Sequence, residues 1–256
     1  MLNNKSYPIF ISLFLLLLIV QKGFSQSINH NNDIWLHFVG KNMLNEKLSF
    51  TLEATMRYAD GFNEKQQYFI RPSIDYQFNK HFIGSIGYSH YNTYVYGETP
   101  LNKTDIPEDH IWIQGTYIAT SGDFKFTNRL RDEIRFVGIP VKNAEGGYDI
   151  DHYEHRNRLR YMFIVNYPLT KDANGKSKLF LNVGDEAFLN INVTDAKTLF
   201  QQNRAIAGLG YNINSHHQVQ LNYIHQNVWS LSNTIQENNP TLRISYLTNF
   251  DWYKKK

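Results

Sequence analysis

Apolar and polar residues alternate one for one through most of this chain. The clearest stretch is 48–59. There Leu48, Phe50, Leu52, Ala54, Met56 and Tyr58 alternate with Ser49, Thr51, Glu53, Thr55, Arg57 and Ala59. Successive side chains of a strand point to opposite faces, so a period of two predicts a strand with one greasy and one polar face. The same period runs through 33–42, 67–78, 81–96, 108–119, 179–190, 202–212 and 218–227, and through a last segment holding Leu242, Ile244, Tyr246, Phe250 and Trp252. It is sharpest in the hairpin 124–167. One arm sets Phe124, Phe126, Leu130, Ile134 and Phe136 against Lys125, Arg129, Arg131, Glu133 and Arg135. The other sets Leu159, Tyr161, Phe163 and Val165 against Arg156, Arg158 and Arg160.

These segments number eleven. An antiparallel barrel with both chain ends on one side of a membrane needs an even number, so the expectation is about twelve strands, the missing one falling in the first forty residues; ten is the alternative. Connections 43–47, 79–80, 120–123 and 214–215 are short. Longer polar stretches lie between them, at 97–107, 138–152, 191–201 and 228–239, and 27–32 reads as loose. Pro72 inside a strand predicts a bulge. Aromatic rings flank the short turns (Phe78, Phe82, Tyr117, Phe124, Tyr167, Tyr211 and Trp252) as they do in interfacial girdles.

The placement of charge decides which face is wet. All ten arginines fall within predicted strands, on the parity opposite each strand's main apolar set. Lysines gather instead in turns, loops and termini. A charge facing the bilayer midplane costs roughly 2–4 kcal/mol, so arginines in a membrane barrel belong inside. A soluble sandwich would mix Lys, Glu, Ser and Thr on its polar face, and a lipocalin-like barrel would turn the rings inward. The pattern therefore predicts an all-β, single antiparallel up-and-down transmembrane β-barrel with short periplasmic turns and longer outer loops.

Composition sharpens this. The chain carries 17 Tyr, 17 Phe and no Cys, which excludes disulfides, thiolate metal sites and a lipidated N-terminal cysteine. Residues 1–25 read as a cleaved signal peptide: Lys5, an apolar run over 9–20, and the small-x-small site Gly23-Phe24-Ser25. Residues 26–256 are then the barrel, placed in the outer membrane of a Gram-negative envelope. The formal charge of +3 falls to +1 without Lys5 and Lys22, leaving 24 basic residues against 23 acidic, so no global basic field points to nucleic acid.

The chain resembles an uncharacterised family, domain of unknown function 2490. The resemblance rests on Asp33-Ile34-Trp35, on 48–57 and 67–78, and on 153–159 with its Arg-Asn-Arg-Leu-Arg run. Residues 182–189, with Asp185-Glu186 and Phe188, and 202–211, with Asn203-Arg204 and Gly208-Leu209-Gly210-Tyr211, add to it. It implies an outer-membrane barrel and carries over no substrate or catalytic residue.

Three functions follow as candidates. Arg129, Arg131, Arg135, Arg156, Arg158 and Arg160 form a basic strip on two adjacent strands, facing one nearby acid of the same parity, Glu133. Such a strip could line a narrow pore or binding barrel for small anionic solutes. The other charges expected in the lumen are Glu53, Arg57, Arg71, Asp75, Glu186, Arg204 and Arg243, whose acids could turn the strip into an ion-paired plug. A closed docking barrel that binds an envelope partner through its loops is the alternative. A lipid-active hydrolase using His90 or His225, with Ser89 and Ser230 close in sequence, is the third, although Ser89 must point away from His90 and no Gly-x-Ser-x-Gly motif occurs. The acidic run 149–155, with His152 and His155, fits no standard metal spacing. No metal, cofactor or catalytic residue is expected. The expected partners are the outer-membrane bilayer and the barrel-assembly machinery, and the chain is expected to be monomeric.

Overall fold

A computed structural model describes residues 27–194 and 196–253; the expected signal peptide and the extreme C-terminal lysines lie outside the described residues. The described chain is all strand and turn. In order the elements are β1 (Ser27–His30), β2 (Asp33–Met43), β3 (Leu48–Ala59), β4 (Glu64–Gln77), β5 (Phe82–Thr93) and β6 (Ile106–Ser121). Then come β7 (Phe124–Lys142), β8 (Tyr148–Lys171), β9 (Ser177–Ile191), β10 (Phe200–Asn212), β11 (His217–Trp229) and β12 (Ile235–Asp251). From β2 to β12 each strand pairs antiparallel with the next, and β12 closes on β2 to make a barrel.

The closure differs from the expected all-antiparallel wall. β12 and β2 run parallel, from Thr241 beside Asp33 to Asp251 beside Met43. β1 also pairs parallel with β12, Ser27 beside Ile235 through His30 beside Asn238, in the register that β2 continues. Twelve strands therefore make eleven staves, the first being interrupted. The break falls beside Pro240, which has no N–H for the ladder. There Asn31 Nδ2 donates to Asn239 Oδ1 at 3.1 Å, and the Asn32 carbonyl accepts from Gly61 N at 2.8 Å. With an odd number of staves, the described chain starts at one end of the barrel and finishes at the other.

One end carries tight connections built on a shared device. Asn45, Asn79 and Asn214 each accept two backbone N–H groups from the residues two and three positions on. Asp172 accepts from Asn174 and Lys176. A carboxyl or amide oxygen thereby closes the turn locally. At the other end the expected long loops are shorter than the sequence suggested. Much of 138–152 is strand, because β7 and β8 zip up to Lys142 and Tyr148. Much of 228–239 is strand too, and 27–32 holds β1. Pro72 makes no bulge; the β4–β5 register is the same on either side of it and only the pairing lapses.

The faces are inverted relative to a soluble core. Among the described residues, thirty polar or charged residues are buried against thirteen hydrophobic ones. Ile70, Ile86, Ile111, Ile113, Leu130, Leu221 and Tyr223 stand exposed on the outside, and so do all seven rings beside the short turns. The inner hydrophobic cluster is small: Trp35, Ile164, Ile206 and Ile224, with Met162 against it.

Candidate functional site

None of the ten arginines is exposed. Strand register dictates which acids they meet, because inward residues on paired strands lie side by side. Glu133 on β7 is opposite Arg158 on β8, and both Arg158 and Arg160 bond it, Arg158 Nε at 2.7 Å and Arg160 Nη1 at 2.7 Å. Arg160 also reaches Glu186 on β9 through Nη2 at 2.7 Å. Glu186 takes Arg129 as well, at 2.5 Å, and Arg204 at 3.5 Å. Arg135 bonds Glu108 on β6, which also holds His110 at 2.6 Å. Arg131 donates to Gln114 at 2.8 Å, lies 3.6 Å from Glu133 and stacks over Trp112. Arg156 pairs with Glu154 at 2.6 Å.

The six arginines of the strip are thus ion-paired, as in the plug weighed from the sequence, but they share four glutamates where one nearby acid, Glu133, was expected. Glu108 and Glu186 come from the flanking strands, and Glu154 from its own. Glu53 bonds Arg71 at 2.7 Å and His37 at 3.2 Å. Asp75 lies toward the short turns and accepts from Thr51 at 2.6 Å. Aromatic rings hold the guanidiniums that cross between acids: Arg160 and Arg204 lie 4.4 and 4.6 Å from the Phe188 centroid.

Within the barrel is a cavity of about 540 Å³. It is bordered by Arg57, Arg71, Arg129, Arg135, Arg158, Arg160, Arg204 and Arg243, and by Glu53, Glu108 and Glu186. Arg131, Arg156, Asp75 and Glu133 do not border it. Amides of Gln66, Gln67, Gln202, Gln226 and Asn182 fill in between the charges. The volume is that of a small-solute site.

The connection 94–105 crosses toward the seam at this end. Tyr96 OH donates to Glu237 on β12 at 2.9 Å, Asn29 Nδ2 on β1 donates to the Thr99 carbonyl at 2.9 Å, and Gly97 N donates to Glu64 at 2.8 Å. Leu101 and Asn102 of this strap border the cavity. Gly97 sits at φ +77°, and a Cβ there would come within 2.9 Å of Asn31 Oδ1. Burial and the nearby Glu237 and Asp33 push the Tyr96 phenol well above its usual value, so it remains a donor.

The residues considered for hydrolysis are not brought together. His90 bonds Asp109 at 2.9 Å on the outer face. Ser89 is buried inside, accepting from Arg71 Nε and Trp112 Nε1. Ser230 bonds Ser232 in a loop. In the acidic run, His152 bonds Asp151, and no group of three His, Cys, Asp or Glu that could hold a metal occurs among the described residues.

Sequence reasoning overlooked Glu108, His110, Glu237 and the place of Trp35 on the cavity wall. Glu108 and His110 were open to it, since they continue the parity of Trp112 and Gln114. Glu237 lay in a stretch expected to be loop.

Three comparisons place the chain among known proteins. The profile of a family described as "Protein of unknown function (DUF2490)" matches residues 32–238. No curated protein matches significantly. A solved structure of the NanC porin is similar at 10% sequence identity, covering 80% of this chain and 93% of that chain with a TM-score of 0.41.

Proposed function

The chain belongs to the family of proteins of unknown function whose profile spans its residues 32–238, and from that premise we propose that it is an outer-membrane β-barrel whose interior receives small anionic solutes. One observation carries the reading: the 540 Å³ cavity is bordered by eight arginines and three glutamates. A guanidinium keeps its charge at any physiological pH and presents a planar fork to oxyanions. The apolar exterior and its rings support a lipid-facing wall.

Fractionation and planar-bilayer recording test this. The mature chain is expected in outer membranes with heat-modifiable mobility, and its reversal potential in a KCl gradient is expected to show anion preference. Cation preference, or silence in bilayers together with no anion binding in detergent, would defeat the solute reading and leave the fold standing. A closed docking barrel is the second reading, favoured by the ion pairs that knit β6 to β9. Removing residues 143–147 would then abolish capture of its envelope partner without changing conductance.

A further inference from the structure

The inner surface is electrically lopsided. On β6 to β9 every arginine has a carboxylate within 4 Å. On the seam wall, Arg57 and Arg243 have none among the described residues. Trp35 lies between them in register, paired with Arg243 on β12 and with Arg57 on β3. The order Arg–Trp–Arg therefore spans three adjacent staves at one level, with the arginine Cα atoms roughly 10 Å apart by strand spacing. Neutral amides orient both guanidiniums without cancelling their charge. Arg57 Nη1 donates to Gln67 at 2.6 Å, and Arg243 Nη2 donates to Asn222 at 3.2 Å. Trp35 is the platform: the Arg57 guanidinium lies 4.1 Å and that of Arg204 4.8 Å from its ring centroid. Its indole N–H is fixed on Gln66. The Nε atoms of Arg57 and Arg243 are both buried without an acceptor. Donors are in place, no carboxylate among the described residues lies within 4 Å of either guanidinium, and both side chains border the cavity.

We propose that Arg57 and Arg243, aligned about Trp35 with Arg204 beside them, form the oxyanion-recognition site of the barrel, taking the carboxylate or phosphate group of a small organic anion. The site lies on the seam wall, not on the arginine-rich strip of β7 and β8. This deepens, and rests on, the reading of the interior as an anion-receiving cavity. A buried guanidinium with a missing acceptor gains most from a ligand that supplies charge and lone pairs together. On the opposite wall Glu133 and Glu186 already supply the charge, although Arg129 Nε and Arg131 Nη1 lack an acceptor there too.

The test is calorimetric titration of the folded full chain in detergent at low ionic strength, with glutarate in one arm and inorganic phosphate in the other. Saturable binding is expected, weakened at least tenfold by Arg57→Gln or Arg243→Gln and unchanged by Lys142→Gln, which removes a cation from an exposed strand end. Heat-modifiable mobility shows that each variant is folded, and Arg57→Lys and Arg243→Lys, which keep the charge, guard against a folding defect. Tighter binding of glutarate identifies an organic acid as the ligand, and tighter binding of phosphate a phosphate ester; either supports the site. No saturable binding of either anion, or binding in both glutamine variants as tight as in the unsubstituted chain, overturns it. Anion-selective conductance that survives both substitutions with binding unchanged would sink this site and spare the broader reading. Binding that is lost in the variants of a cation-selective barrel would do the reverse.

Discussion

Arg160 Nη1 donates to Glu133 Oε1 at 2.7 Å across the β7–β8 pair, and Glu133 is 0% exposed. Arg158 bonds the same carboxylate and Arg131 lies 3.6 Å from it, so one buried acid serves three cations. Glu133→Gln would leave Arg131 and Arg158 without a counterion beside Arg160, which keeps only Glu186. Breaking a buried pair from one side costs about 3–5 kcal/mol. The variant is expected to lose that much stability by denaturant titration of its heat-modifiable form. Glu154→Gln, which removes the half-exposed partner of Arg156, is expected to cost about 1 kcal/mol or less. Equal losses would mean that Glu133 is not the hub.

Gly184 faces inward between Ile164 on β8 and Ile206 on β10. A methyl group there would overlap the Phe163 carbonyl oxygen and Ile164 Cδ1, and would sit 2.9 Å from Ile164 Cα. Backbone cannot swing aside as a flexible side chain can. Gly184→Ala is therefore expected to destabilise the barrel by about 1–3 kcal/mol, the usual cost of overpacking. Gly122→Ala, with open space around its Cβ position, would suffer only from its φ of +56°. Unfolding midpoints of the two variants separate crowding from backbone strain.

Tyr96 ties the 94–105 connection to the seam through Glu237. Tyr96→Phe removes one hydrogen bond to a buried carboxyl group, worth about 1.5–3 kcal/mol if that group is charged. Limited proteolysis is expected to cut 98–104 faster in the variant, with the wall intact. The phenol's value is raised on folding, so its contribution is complete below the unfolded value, about 10. It is lost only as pH climbs through the higher folded value. The strap is thus expected to stay closed from neutral pH to about 10. Release at pH 8 would show that another group holds it.

Which residues point inward could be read from sequence because strand geometry has a period of two, and a single charged residue at the wrong parity would be costly. Register was not legible in the same way. Whether Arg160 meets Glu133, Glu186 or solvent depends on how strands slide past one another, and no one strand's pattern contains that. The strip on β7 and β8 therefore showed one near acid, Glu133, while Glu108 and Glu186 lay on β6 and β9. Arg57 and Arg243, each the one arginine on its strand, were expected in the lumen but not beside each other; the closing of β12 on β2 sets them on either side of Trp35. Long connections were overestimated for a related reason: Gly146 and Gly147 do lie in the turn, but cross-strand pairing of β7 and β8 carries the ladder up to Lys142 and Tyr148 on either side of it.

The parallel seam makes the sharpest geometric prediction. Ile34 is paired with Leu242 and Leu36 with Ile244, so stepping down both strands together preserves the partnership. In an antiparallel seam the same step would separate the two residues, so at most one of these pairs could be in contact. The chain has no cysteine, so introduced thiols report without background. Ile34→Cys with Leu242→Cys, and separately Leu36→Cys with Ile244→Cys, are both expected to cross-link under mild oxidation, because paired strands sit about 5 Å apart and a disulfide spans Cα separations up to about 7 Å. Non-reducing electrophoresis of the folded barrel reads the result as a mobility shift. Ile34→Cys with Ile244→Cys, displaced by two residues along the strand, is expected to link poorly. Formation of only one of the two matched pairs would show that β12 and β2 do not run side by side in the same direction, and with that the eleven-stave closure would fail.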